Sequence, residues 1–121
     1  MKHTVNSSKL INDYIEFATI EGETKLNGDY KLGNKMAKKI IKIFTILKDN
    51  EQLAREVIPI ILNSNSVRAR GLIAVDALRL NVYVNDAIKV LEDISKQNDI
   101  LDFSSQMALK IYRGEFPDKT L

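Results

Sequence analysis

Arg68 and Arg70 open a stretch, residues 66–81 (SVRARGLIAVDALRLN), in which a single acid, Asp76, stands among small and branched apolar residues. Cations near a helix start oppose the helix macrodipole. That cost must be offset elsewhere, in the structure or by a ligand that the arginines hold. Asp76 has a nearer partner in Arg79, three residues further along the same helix. Lys35, Lys38, Lys39 and Lys42 form a second cationic group. Their spacing of i, i+3, i+4 and i+7 puts them on one helical face, and residues 35–48 hold five lysines and no acid. Such a face is either ordinary solvated surface or a docking patch for an acidic partner, protein or nucleic acid. Aromatic side chains that could stack bases are not interleaved with the lysines; Phe44 falls on the apolar side, which argues against single-strand binding.

Groups for catalysis are harder to find. His3 is the one histidine and has no carboxylate beside it, so histidine triads and histidine-rich metal sites are excluded. Cysteine is absent, which removes disulfides, thiol nucleophiles and cysteine-based zinc sites. Acid pairs occur, among them Glu21 with Glu23, Glu92 with Asp93, and Asp99 with Asp102. They fall in loops or on polar helix faces, where nothing desolvates one carboxyl as general acid–base work requires. Gly28 and Gly33 are loosely spaced and no Gly-Lys-Ser/Thr follows, so no phosphate loop is present. The expectation is a chain with no catalytic residue, no cofactor and no metal.

These groups sit on 121 residues, the length of one domain, and 45% of the residues are hydrophobic. That suffices for a core without metal or disulfide staples. A net charge of +2 is too balanced to mark a nucleic-acid or membrane footprint by itself. Behind Lys2 there is no apolar run of a secretory signal. The longest apolar stretches, such as VIPIIL, fall far short of the roughly 20 residues a membrane span needs. The expected location is cytoplasmic, away from a membrane.

Apolar residues recur at helical spacing almost throughout. Leu10, Tyr14, Phe17 and Ala18 share one stripe, capped by Ser7 or Ser8. Residues 22–34, with three glycines, predict a loop. Met36, Ile40, Ile43, Phe44 and Leu47 form the buried stripe of a second helix, stopped at Asp49-Asn50. A third helix contains Pro59, which bends it rather than breaking it. Residues 63–66 make a turn and cap the arginine-bearing helix at 67–80. A fifth helix is capped by Asn85, and a sixth runs from Asp99 to about Gly114. The stretches KIIKIF and LRLNVYV have strand propensity but lie within helical patterns or their connections.

The last four helices repeat. Ala54, Val57, Ile58 and Ile61 match Ala87, Val90, Leu91 and Ile94 at an offset of 33. Val67, Ala69, Ile73, Ala74, Val75, Ala77 and Leu78 match Leu101, Phe103, Met107, Ala108, Leu109, Ile111 and Tyr112 at 34. One helix pair cannot bury its apolar face alone, so such pairs stack and share a continuous core.

The segment SVRARGLIAVDAL, with Val67-Arg68 opening an Ala-rich helix, resembles the second-helix pattern of HEAT-type repeats. Over residues 11–116 the chain is similar to a small bacterial family of unknown function with HEAT-like helices, through Asn34-Lys35, Val67-Arg68, Ala87 with Leu91, and Ala108 with Tyr112-Arg113-Gly114. The resemblance implies an interhelical acid for the arginine at the start of the second helix; it carries no active site. The expected fold is all-α, a HEAT-like α-α superhelix of about six helices over residues 1–121. Residues 7–48 form capping helices, and 50–81 and 83–114 form two stacked antiparallel hairpins. The expected function is a non-catalytic protein-binding or adaptor module of a bacterial cell, immunity-like or regulatory. Lys35, Lys38, Lys39, Lys42, Arg68 and Arg70 would bind an acidic protein partner; nucleic-acid backbone binding through the second helix is the alternative. Oligomeric state is not legible.

Overall fold

The computed structural model describes residues 6–96, and these fold as five α-helices with no strand among them. The helices are α1 (Ser7–Asn27), α2 (Tyr30–Lys48), α3 (Glu51–Leu62), α4 (Val67–Leu80) and α5 (Val84–Ser95). His3, the acid pair at Asp99 and Asp102, and the sixth helix expected from Asp99 onward lie outside the described residues. No helix among the described residues is long and apolar enough to cross a membrane.

Side-chain caps set most of the boundaries. Asn6 accepts from the Lys9 N–H, Asp29 from Leu32, Asn50 from Leu53 and Ser66 from Ala69, each at 3.1 Å. Each satisfies a donor that the first helical turn leaves orphaned. The cap of α1 is therefore Asn6, one residue before the two serines that the sequence offered.

The expected loop at residues 22–34 is not a loop. Helix α1 continues to Asn27 and α2 begins at Tyr30, leaving only Gly28 and Asp29 between them. Gly28 closes α1 in the left-handed region (φ 80°), and its N–H reaches the Thr24 carbonyl at 3.0 Å. Gly22 and Gly33 lie inside helices. A Cβ at Gly33 would stand 2.5 Å from the Thr24 hydroxyl, and one at Gly22 would stand 3.0 Å from Cγ of Arg68. Their function is close approach of neighbouring helices, which composition alone cannot separate from turn formation.

Helix α1 packs along α2 and also against α3 and α4; α4 packs against α3 and α5. The shared core holds Tyr14, Leu47, Ile58, Ile61, Ile73 and Leu91, all below 2% exposed. The expected α2 stripe is buried at Met36, Ile40, Ile43 and Leu47. Of the repeated positions, Ala54, Val57, Ile58 and Ile61 in α3 are all buried, as are Ala87, Leu91 and Ile94 in α5, with Val90 half-buried.

The joint between α4 and α5 is tight. Asn81 is left-handed (φ 60°), and the Val82 N–H bonds the Ala77 carbonyl at 3.0 Å in the manner of a Schellman closure. Tyr83 is also left-handed (φ 49°) and precedes α5 without a side-chain cap, so α5 starts ahead of the cap expected at Asn85. A bulky residue in that region is strained. Its compensation is visible: the Tyr83 hydroxyl donates to the Arg55 carbonyl at 2.8 Å. That carbonyl lies four residues before Pro59, which has no N–H to donate to it. α3 runs on through Pro59, and Tyr83, just ahead of α5, supplies the donor that the proline lacks.

Tyr83→Phe is expected to lose about 1 kcal/mol of stability. In a Pro59→Ala background, where residue 59 can donate to Arg55 itself, the same substitution should cost markedly less. Urea denaturation of the four proteins measures that coupling; additive effects would contradict the donor replacement.

Candidate functional site

Two polar regions emerge: a buried seam between α1 and α4, and the outward face of α2. Three pairs cross the seam. The Tyr14 hydroxyl donates to Oδ2 of Asp76 at 2.8 Å, the Thr19 and Ser66 hydroxyls lie 2.8 Å apart, and Arg68 grips Oε1 of Glu21 through Nε at 2.8 Å and Nη2 at 2.7 Å. Tyr14, early in α1, meets Asp76 late in α4, whereas Glu21, further along α1, meets Arg68 at the start of α4, so the two helices run antiparallel.

Asp76 is 7% exposed. Burial pushes its carboxyl up from 3.8 to about 6, opposed by the Tyr14 hydrogen bond and then by the Arg79 cation. Tyr14 is held well above the usual tyrosine range by its burial, then by the charge of Asp76 and the hydrogen bond to it. Arg79 Nη1 is 3.7 Å from Oδ1 of Asp76, and its guanidinium carbon lies 4.2 Å from the centroid of the Phe44 ring, which ties α4 to α2. The Arg79 pairing was legible in the spacing. The Tyr14 contact, 62 residues distant, was not, although a buried tyrosine hydroxyl and a carboxylate amid apolar neighbours each need a partner. A lone carboxylate facing a phenol and a guanidinium lacks the second carboxyl of an acid–base pair. Among the described residues no group of three or more His, Cys, Asp or Glu could hold a metal.

The six candidate binding residues divide. Arg68 is mostly buried and spent on Glu21, which Lys25 of its own helix also approaches at 3.4 Å. This is the interhelical acid that the resemblance implied for it. Arg70 donates through Nη1 to the Ser64 carbonyl at 2.7 Å, bracing the α3–α4 turn beside an open cavity of about 650 Å³ whose lining also includes Asp86, Lys89 and Asp93. Neither arginine joins the α2 face. Lys39 leans back over Phe17 of α1, its Nζ 5.3 Å from the ring centroid. Lys35, Lys38 and Lys42 are exposed, and Lys31, one turn ahead of the four spaced lysines, is exposed with them.

α2 as a whole carries six lysines and no acid. The ion pairs among the described residues involve the cations of Lys9, Lys25, Arg55, Arg68, Arg79 and Lys89, and none involves α2. Alongside the lysines α2 exposes four large apolar side chains, Tyr30, Leu32, Ile41 and Ile46, of which Tyr30 at 77% and Ile41 at 61% are the most open. An all-helical fold with a buried polar seam and a one-sign outer helix defines the class of protein that the structure supports. Comparison with known protein families, curated proteins and solved structures finds no match to this chain.

Asp76 supplies a pH test. Its folded-state value lies above the unfolded one, so the folded chain takes up this proton first as pH falls. The group therefore adds stability on going from about pH 7 down to about pH 4, and its burial as an anion costs roughly 3 kcal/mol at neutral pH. Asp76→Asn should remove that component of the pH dependence and leave stability at pH 7 equal or higher. Denaturant midpoints from pH 4 to 8 check it, and a variant much weaker than the parent at pH 7 would refute the account.

Proposed function

We propose that this chain is a non-catalytic binding module, a HEAT-like α-α stack of a bacterial cytoplasm that docks an acidic protein partner on the outward face of α2. The observation that carries the reading is the single-signed charge of that face. Lys31, Lys35, Lys38 and Lys42 are exposed together on a helix without acids. Isolated surface lysines usually have intermixed acids, and a one-sign row steers and orients an oppositely charged partner. Arg68 and Arg70 serve the scaffold in this reading, because their guanidiniums are already engaged inside the chain. The buried α1–α4 seam sets the stack rather than performing chemistry. Immunity-like or regulatory roles, in which a small helical protein masks an acidic surface of its target, fit such a face.

The test is capture of partners from the source cell's lysate by immobilised protein. Triple reversal Lys35→Glu, Lys38→Glu, Lys42→Glu should lose the captured proteins by on the order of tenfold or more. Reversal of Lys89, on α5, should retain them. Unchanged circular dichroism controls for folding, since all four side chains are exposed. Recovery of the same proteins by the triple variant refutes the docking face. Capture of duplex nucleic acid, lost steeply as salt rises, refutes the protein partner in favour of backbone binding.

A further inference from the structure

The outward face of α2 carries more pattern than charge alone. Tyr30, Asn34, Ala37 and Ile41 follow one another at steps of four, three and four residues, the spacing of a helix-packing seam. Tyr30, Asn34 and Ile41 are exposed and Ala37 is half-buried, so the seam lies open, with a small residue at its middle where a second helix could approach closely. The inner stripe of the same helix, Met36, Ile40, Ile43 and Leu47, is separately buried. α2 therefore has apolar side chains on two sides, and the described residues pack on only one of them.

The lysines lie along one edge of this open seam. Lys31 and Lys38 directly follow Tyr30 and Ala37, and Lys35 and Lys42 directly follow Asn34 and Ile41. The opposite edge is formed by Gly33 and Ile40, on the side turned toward the body of the protein. An occupant of this seam must offer apolar side chains at helical spacing and negative charge along one border only. A second copy presenting its own α2 would set lysine row against lysine row. A flat anionic bilayer would meet exposed Asp29 and Asp49 at the two ends of the helix.

The geometry points to an acidic amphipathic helix as the element that the α2 seam receives. It lies lengthwise on Tyr30, Ala37 and Ile41 with its carboxylates facing Lys31, Lys35, Lys38 and Lys42. This rests on the reading of α2 as an acidic-partner face and specifies the shape of that partner: recognition is of the helix-in-groove kind, where apolar anchors fix register and charge selects the partner.

The probe is a labelled peptide about three heptads long, with leucine at its seam positions and glutamate along one border. Its controls are a scrambled peptide of the same composition, polyglutamate of equal charge, and vesicles containing phosphatidylserine. Fluorescence anisotropy should show the periodic peptide binding on the order of tenfold more tightly than the scrambled peptide or polyglutamate, with helicity rising on binding. Tyr30→Ser combined with Ile41→Ser, all lysines retained, should reduce the periodic peptide to the polyglutamate level. Equal affinity for periodic peptide and polyglutamate, or indifference to the serine pair, overturns the helix and leaves the acidic-partner reading standing. Tighter binding to vesicles than to any peptide overturns the helix in favour of a lipid surface. No binding to any acidic probe overturns both readings.

Discussion

The fold depends on how α1 is fixed against α4. Apolar burial alone would let two antiparallel helices slide past one another by a turn at modest cost, since leucine and isoleucine pack acceptably in several registers. The three polar crossings do not permit this. Displacing α1 by one turn would strand the Tyr14 hydroxyl, the Asp76 carboxylate and the Glu21–Arg68 pair in the interior without partners, and each stranded group costs more than its bond contributes. The seam thus contributes register more than stability, and Asp76 is the clearest instance: its ionised form is disfavoured where it sits. α2 inherits its position from this arrangement, because it is held by α1 along its length and by the Arg79–Phe44 contact from α4.

Much of this was legible in the sequence, and the reasons for the remainder are physical. Helical periodicity gave the five described helices and the buried faces of α2, α3 and α4, because a 3.6-residue apolar repeat has few other interpretations. The Arg79–Asp76 pair was readable because its partners are neighbours in the chain. Three expectations failed for a shared cause. Composition marks Gly22 and Gly33 as turn residues, whereas their lack of a side chain serves close packing. Asn6 and not a serine caps α1, and α5 begins at Val84 rather than behind an Asn85 cap. In each case two local uses of the same residue type are nearly equal in energy, and tertiary contacts select between them.

The candidate site was partly legible. Spacing placed Lys35, Lys38 and Lys42 together and opposite the buried stripe, as the structure has them. It also grouped them with Arg68 and Arg70, which charge alone cannot distinguish from surface cations. Their fate was decided by Glu21 and by the Ser64 carbonyl, and Glu21 lies 47 positions from Arg68. The open seam of Tyr30 and Ile41 is not legible in the sequence, because Gly28 and Gly33 on either side of Tyr30 have the composition of a loop and mask the first turn of α2.

One consequence follows from the lysines of α2 for the molecule as a whole. The complete chain nets only +2, and α2 alone contributes six positive charges and no negative ones, so everything outside α2 nets −4. Near neutrality therefore hides a strong charge separation, with one pole on a single helix. In the field of a charged body such a molecule turns before it touches, which raises the fraction of productive encounters and makes the association rate, more than the lifetime of the complex, sensitive to ionic strength.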